Sequence, residues 1–270
     1  MTFFDVRAHC TLMFADINGI RMSYEDRGSG EPIVLIGGFG ANGAFWSNAV
    51  PMMDGYRVIT FDNRGVGDTV YDGGFSLEDL ADDVVALLDH LGLDRVHVLG
   101  WSMGSQVAQL LGIHHPDRLK SLTLVSTYLR RPARFEYIMS GMNDMVLKGV
   151  APIDALAMVV NAFCFTEDLF MEYEASGCTF PIPEKPERPE GLRDQLRAID
   201  GCDTTDEVSG IRVPTMVIHG GKDIMVEPRE GVRVAESIPG SRLLLLDSAG
   251  HNIPFEMYWD SLRGFIGSNM

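Results

Sequence analysis

A serine hydroxyl does not attack a carbonyl at neutral pH unaided, so a chain that uses one must also supply a base and a group that orients the base. Residues 100–104 read Gly100-Trp101-Ser102-Met103-Gly104, a G-x-S-x-G pattern. Residues 95–99 before it read as a short buried strand, and residues 105–112 after it read as a helix. A serine on a sharp strand-to-helix turn holds its hydroxyl clear of the backbone, and glycines two positions to either side let neighbouring chain approach. Ser102 is therefore the candidate nucleophile. Two later strand ends offer the other groups. The apolar run 215–219 leads into Gly220-Gly221-Lys222-Asp223, and the run 243–246 leads into Asp247-Ser248-Ala249-Gly250-His251. The order serine, acid, histidine is the one expected for a nucleophile on such a turn. It makes His251 the candidate base and Asp223 its orienting acid, with Asp247, close to His251 in sequence, as the alternative.

Other reactive side chains form no pattern of this kind. His114 and His115 are adjacent and point in different directions, so no metal site is expected from them. Cys10, Cys164, Cys178 and Cys202 lie at wide spacings without a C-x-x-C pair and read as free thiols. His97, inside the strand before Ser102, reads as structural. His219 stands at the end of the strand that leads to Asp223 and is kept as a minor candidate.

With these motifs in place the chain resembles the α/β-hydrolase superfamily over residues 20–265. The residues that carry the likeness are GWSMG at 100–104, FDNRGVGDT at 61–69, HGGKD at 219–223 and GHNIPFE at 250–256. Within the superfamily it is most similar to small capped enzymes related to enol-lactonases, haloperoxidase-like esterases that need no cofactor, and carbon-carbon bond hydrolases. The resemblance implies an α/β fold: a mostly parallel, twisted, eight-stranded sheet with helices on both faces and a helical cap inserted. The superfamily's members share a fold but not a substrate, so the likeness stops short of a reaction; the set Ser102, His251 and Asp223 is read as acyl transfer to water on a small, largely apolar ester or lactone, through an acyl-enzyme on Ser102, with no cofactor. The backbone N–H groups of Phe39 and Met103 would form the oxyanion hole.

One departure stands out. Many relatives carry His-Gly where this chain has Gly37-Gly38, so it lacks the imidazole that commonly braces the loop. Two further readings follow from the same likeness. One is carbon-carbon cleavage of a β-diketone or dienone, although such relatives usually have Asn and Gly around the nucleophile where Trp101 and Ser105 stand here. The other is a ligand-binding homologue without catalysis, for which the Gly37 departure is the best support.

The elements that must position these residues are legible from pattern. Asn18-Gly19, between the apolar-rich stretches 12–15 and 20–25, suits a tight hairpin turn. Residues 32–36 form a continuous apolar run, the mark of a strand buried on both faces, and residues 56–61 read as the next. Ser76 and Asp79 form a shortened capping box ahead of Leu77, Leu80, Val84, Leu88 and Leu91 at helical spacing. Asp62 and Arg64 are expected to form a structural ion pair. From residue 129 to residue 209 strand and helix stop alternating and helix-like segments take over, giving a cap at 129–209 on a core of 1–128 and 210–270. Trp101, Met139, Met142 and Phe163 are the expected substrate-lining residues. Pro181, Pro183, Pro186 and Pro189 read as a stiff extended segment, and Arg130, Arg131 and Arg134 as the one basic cluster near the cap entrance.

Composition bounds the partners. With 22 basic and 38 acidic residues the net charge is -16, which repels phosphate backbones and anionic lipid. A small-molecule substrate is expected rather than nucleic acid or membrane, and a homo-oligomer is compatible with the sequence. Residues 1–14 have no basic region followed by a small-residue cleavage site, and no apolar run is long enough to span a bilayer. A cytoplasmic protein is the expectation.

Overall fold

The computed structural model describes residues 12–177 and 189–270. Its frame is one eight-stranded sheet in the order β1-β2-β4-β3-β5-β6-β7-β8. Strands β1 (Met13–Ile17) and β2 (Ile20–Gly28) form an antiparallel hairpin, whose turn residues Asn18 and Gly19 both take positive φ, 42° and 75°. Strand β4 (Tyr56–Phe61) pairs antiparallel with β2 and parallel with β3 (Glu31–Ile36). Strands β5 (Val96–Trp101), β6 (Leu119–Val125), β7 (Thr215–Gly220) and β8 (Arg242–Leu246) continue the parallel run.

The continuous apolar strands are buried on both faces, as their composition requires. On β3, Val34 and Ile36 enter one core layer, whereas Ile33 and Leu35 enter the other. The first layer is closed by helices α1 (Leu77–His90) and α2 (Met103–His114), the second by α8 (Trp259–Gly267). Helix α1 starts with the capping box foreseen at Ser76 and Asp79, and Leu77, Leu80, Val84 and Leu88 of its apolar face are buried. His90 at its end is exposed.

The chain leaves β3 for β4 on one side of it and returns to β5 on the other. That reversal opens a crevice at the carboxyl ends of β3 and β5, the usual ligand position in a sheet of this type. Ile36 and Gly100 pair there, two residues before the strand-to-helix turn at Ser102.

Between β6 and β7 the alternation does stop. Helices α3 (Ala133–Leu147), α4 (Ile153–Cys164), α5 (Glu167–Ser176) and α6 (Pro189–Gly201) fill the interval, and helix α7 (Pro228–Ser237) follows β7. A bridge between Arg130 and Asp203, with Thr204 N–H donating to the Leu129 carbonyl at 3.0 Å, closes the neck of the insertion. Pro189 does not belong to an extended segment. It opens α6, where the missing N–H is no loss because first-turn donors have no helical acceptor. Pro181, Pro183 and Pro186 lie outside the described residues, as do Cys10 and Cys178 and most of residues 1–14.

Candidate active site

Ser102 sits between β5 and α2 with φ 54° and ψ -119°, a conformation costly for a residue with a side chain, by roughly 1–3 kcal/mol. The turn is so tight that a Cβ on Gly100 would stand 2.1 Å from the Gly104 carbonyl oxygen. Ser102 N–H donates to the Val125 carbonyl on β6 at 2.9 Å, which anchors the strained residue to the neighbouring strand. Its Oγ lies 2.9 Å from Nε2 of His251, and Nδ1 of His251 lies 2.8 Å from Oδ2 of Asp223. A carboxylate only accepts, so Nδ1 carries the hydrogen that it receives and Nε2 is left to accept from the serine hydroxyl. The three side chains are buried and meet in one hydrogen-bonded line.

Asp223 lies in the loop after β7. Its Oδ1 accepts from the N–H groups of Met225 and Val226, at 2.9 and 2.8 Å. Burial pushes its acidity toward the neutral form, but the charge of His251 and the N–H donors of His219 and His251 outweigh it, holding the carboxyl down at about 2. His219, the minor candidate, thus touches the acid. Its Nε2 donates to the Val226 carbonyl at 3.0 Å and lies 3.3 Å from Asp223 Oδ2. Asp247 is exposed on the next strand end and takes no part.

The loop that presents His251 is fixed through its backbone. The His251 carbonyl accepts from Trp101 Nε1 at 3.0 Å and from Ser126 Oγ at 2.7 Å. Trp101 stacks on Phe45, with centroids 4.4 Å apart and planes 16° apart, and reaches the His251 ring at 5.5 Å. The indole expected to line substrate space therefore holds the His251 loop in place, and it also faces a cavity of about 610 Å3 on the side of Phe45, Phe165 and Phe255. Ser126 was not foreseen. It lies just past β6 with φ 52°, a second strained serine beside the first, and the one available signal was its position at a central strand end.

The Gly37-Gly38-Phe39-Gly40 turn lies across Ser102. A Cβ on Gly38 would stand 2.7 Å from the Trp101 ring and 3.1 Å from Ser102 Cβ, and one on Gly104 would stand 2.3 Å from the Ile36 carbonyl oxygen. Among the described residues, neither the Phe39 N–H nor the Met103 N–H has a protein acceptor. The loop has no histidine, but two side-chain amides support it. Asn63 Nδ2 donates to the Gly37 carbonyl at 3.3 Å, and Gln195 Oε1 accepts from Gly40 N–H at 2.9 Å.

Several expectations need correction. Asp62 and Arg64 do not pair. Asp62 is engaged by the N–H groups of Gly43 and Asp68, both at 2.8 Å, while Arg64 forms a bidentate pair with Asp83 of α1 at 2.7 and 2.8 Å. Residues two apart in this glycine-punctuated turn face different neighbours. The pairing also ties down the hairpin, because Asn18 Nδ2 donates to Asp83 at 2.7 Å. The arginines at the insertion's base are occupied too. Arg131 pairs with Glu136 and Asp200, and Arg134 lies 3.6 Å from Glu227. Met139 is fully buried in the larger core layer, with Met142 and Phe163 half-buried against it. None of the three lines the cavity beside Trp101, which does not reach Ser102 either. Cys164 and Cys202 are free and buried, and burial raises both thiols far above the usual range. Among the described residues, no group of three or more His, Cys, Asp or Glu is placed to hold a metal ion, and no helix is long and apolar enough to cross a membrane.

Known proteins are similar to this chain in sequence and fold. A profile of the α/β-hydrolase fold family matches residues 31–149. A Mycobacterium tuberculosis protein provisionally named as the non-heme bromoperoxidase BpoC is 31% identical over 242 residues, covering 86% of this chain and 91% of its own length. The pimeloyl-[acyl-carrier protein] methyl ester esterase of Aeromonas hydrophila is 30% identical over 264 residues, covering 91% of this chain and 99% of its own length. Among solved structures, the enol-lactonase from Burkholderia xenovorans LB400 superposes with a TM-score of 0.83 at 25% identity, covering 94% of this chain and all of that one.

Proposed function

The chain belongs to the α/β-hydrolase superfamily, and from that premise we propose that it is a serine hydrolase of carboxylic esters or lactones acting through an acyl-enzyme. The observation that carries this reading is the unbroken line from Ser102 Oγ through the His251 ring to Asp223, at 2.9 and 2.8 Å. As Oγ attacks the carbonyl carbon, its proton moves to His251 Nε2. The positive charge that forms on the imidazole faces the Asp223 carboxylate, which stays ionised. Charge on the carbonyl oxygen is received by the N–H groups of Phe39 and Met103, whose lack of protein acceptors supports this role. The protonated His251 then returns its proton to the leaving alkoxide. Water, deprotonated in turn by His251, releases the acid. The insertion acts as a cap, and the substrate is a small, largely apolar one. The esterase and the enol-lactonase among the similar proteins act on bonds of this type, which supports the substrate class.

The test is covalent labelling with a fluorophosphonate, alongside hydrolysis of p-nitrophenyl esters and simple lactones. Labelling at Ser102 is expected, with at least about a thousandfold loss of turnover in Ser102→Ala and in His251→Ala while both stay folded. Retained turnover in either variant would refute the assignment.

A further inference from the structure

Two helices of the insertion reach the loops that carry the chemistry. At the end of α4, the Cys164 carbonyl accepts from Asn252 N–H, the residue after His251, at 2.9 Å. On α6, Gln195 is fully buried and spans two core loops. Its Oε1 accepts from Gly40 N–H at 2.9 Å, and its Nε2 donates to the Arg64 carbonyl at 2.8 Å. One partner offers only a hydrogen and the other only a lone pair, so the amide has one orientation. The helix lies directly on the backbone around it. A Cβ on Gly191 would stand 2.0 Å from the Gly65 carbonyl oxygen, and Leu192 Cδ2 lies 3.4 Å from where Gly40 would carry one. Tyr71 adds a hydrogen bond to Asp194 at 3.0 Å.

The turn that Gln195 touches has glycine at three of its four positions, with Gly40 at φ 70°. Such a segment has more backbone freedom to lose than any other, and an oxyanion donor acts only if it is already in position when charge develops. Support within the core is thin: Ala41 N–H to the Gly38 carbonyl at 3.1 Å and the 3.3 Å contact from Asn63. We propose that Gln195 is a positioning residue for the reaction: by holding the Phe39–Gly40 peptide it aims the Phe39 N–H, and it makes α6 of the insertion part of the oxyanion site. This rests on the serine-hydrolase reading given above. It assigns to the insertion the bracing that an imidazole in the turn itself would otherwise supply.

The experiment compares three substitutions in the full chain. Gln195→Met keeps the volume and removes both hydrogen bonds. Gln195→Asn keeps a buried amide but is one methylene short of spanning both partners, and stands in should the Met variant not fold. Gln195→Glu keeps the acceptor for Gly40. With p-nitrophenyl butyrate, the Met and Asn variants are expected to lose about tenfold in kcat with KM changed by less than about twofold. Inhibition by phenylboronic acid, a tetrahedral mimic, weakens by a similar factor, whereas Gln195→Glu, which keeps the Gly40 acceptor but sets an oxygen against the Arg64 carbonyl, is expected to lose less kcat than Gln195→Met. A purely structural amide would lower Tm but leave kcat and boronate inhibition intact, and that result would overturn the proposal. Hydrogen exchange gives a second, activity-free readout. Exchange over residues 38–41 is expected to rise about tenfold in Gln195→Met or Gln195→Asn while α1 is unchanged, and unchanged exchange at 38–41 also overturns the proposal. Should the parent protein neither label with fluorophosphonate nor cleave esters, the serine-hydrolase reading falls, and the exchange result still decides whether Gln195 fixes the turn.

Discussion

His219 and His251 meet on the same oxygen: both rings address Oδ2 of Asp223, at 3.3 and 2.8 Å, while Oδ1 is taken by two backbone N–H groups. The carboxylate thus receives two backbone N–H groups on one oxygen and His251 on the other, with the His219 ring alongside, which fixes its plane and through it the plane of the His251 ring. Burial works against the Asp223 charge, and His219 is among the contacts that keep the carboxyl low, so replacing it by Leu lets the Asp223 pKa rise. The acid limb that Asp223 protonation sets in kcat/KM is then expected to move to higher pH, and His219→Gln, which can still donate, is expected to move it less. A pH-rate series on one p-nitrophenyl ester reads this directly, and an unshifted limb in His219→Leu would show that the contact carries no electrostatic coupling.

The choice between the two acids is testable by one matched pair. In Asp223→Asn an amide N–H2 can face His251 Nδ1, which favours the wrong tautomer and is expected to lower kcat by about ten-thousandfold with the fold intact. Asp247 is exposed and separate from the ring, so Asp247→Asn is expected to change kcat by less than about threefold. Comparable losses in the two variants would overturn the assignment of Asp223.

Trp101 gives a prediction about position rather than chemistry. Its indole N–H and the Ser126 hydroxyl share the His251 carbonyl, at 3.0 and 2.7 Å. Trp101→Phe keeps an aromatic ring against Phe45 but removes one donor, a loss worth about 1 kcal/mol of stability. A several-fold fall in kcat is expected, deepened when Ser126→Ala is added, since the carbonyl then has no donor from either side. Steady-state kinetics on the two single variants and the double variant check it. A double variant as active as the parent would mean that the carbonyl needs no anchoring.

Much of this architecture was legible because it is written in local pattern. The Asn18-Gly19 turn, the Ser76–Asp79 cap and the apolar runs that became β3 and β4 each follow from a few adjacent residues. The G-x-S-x-G motif and the strand ends before Asp223 and His251 pointed to three side chains that do meet, since a parallel sheet brings its strand ends to one edge. What was not legible depends on which distant surface a side chain meets. Arg64 was expected to pair with Asp62 and instead reaches Asp83, and Pro189 was expected in an extended stretch and instead opens α6. Nothing within a few residues of Gln195 marks it, and Ser126 shows only its place at a strand end, because their partners at Gly40 and His251 lie 155 and 125 positions away.

His97 yields a pH prediction independent of catalysis. It is buried within β5, with Nδ1 2.7 Å from Ser121 Oγ, and its Nε2 lies 3.4 Å from Glu31 Oε1 without a hydrogen bond. Burial lowers its pKa to about 4, against the upward pull of Glu31 and with help from nearby Lys120. The unfolded chain therefore binds a proton near pH 6.5 that the folded chain refuses until about pH 4. Because the unfolded state holds more protons in that window, stability falls as pH drops from about 6.5 to about 4 and levels off below it. The full contribution is about 3 kcal/mol, present above the upper end of the window. Urea unfolding of the parent and of His97→Asn, followed from pH 7.5 to pH 4, isolates the term from the carboxylates that titrate alongside. The stability difference between the two proteins is expected to shift by roughly that amount in favour of the variant on acidification. A difference that stays constant across the window would show that His97 takes up its proton in the folded chain as readily as in the unfolded one.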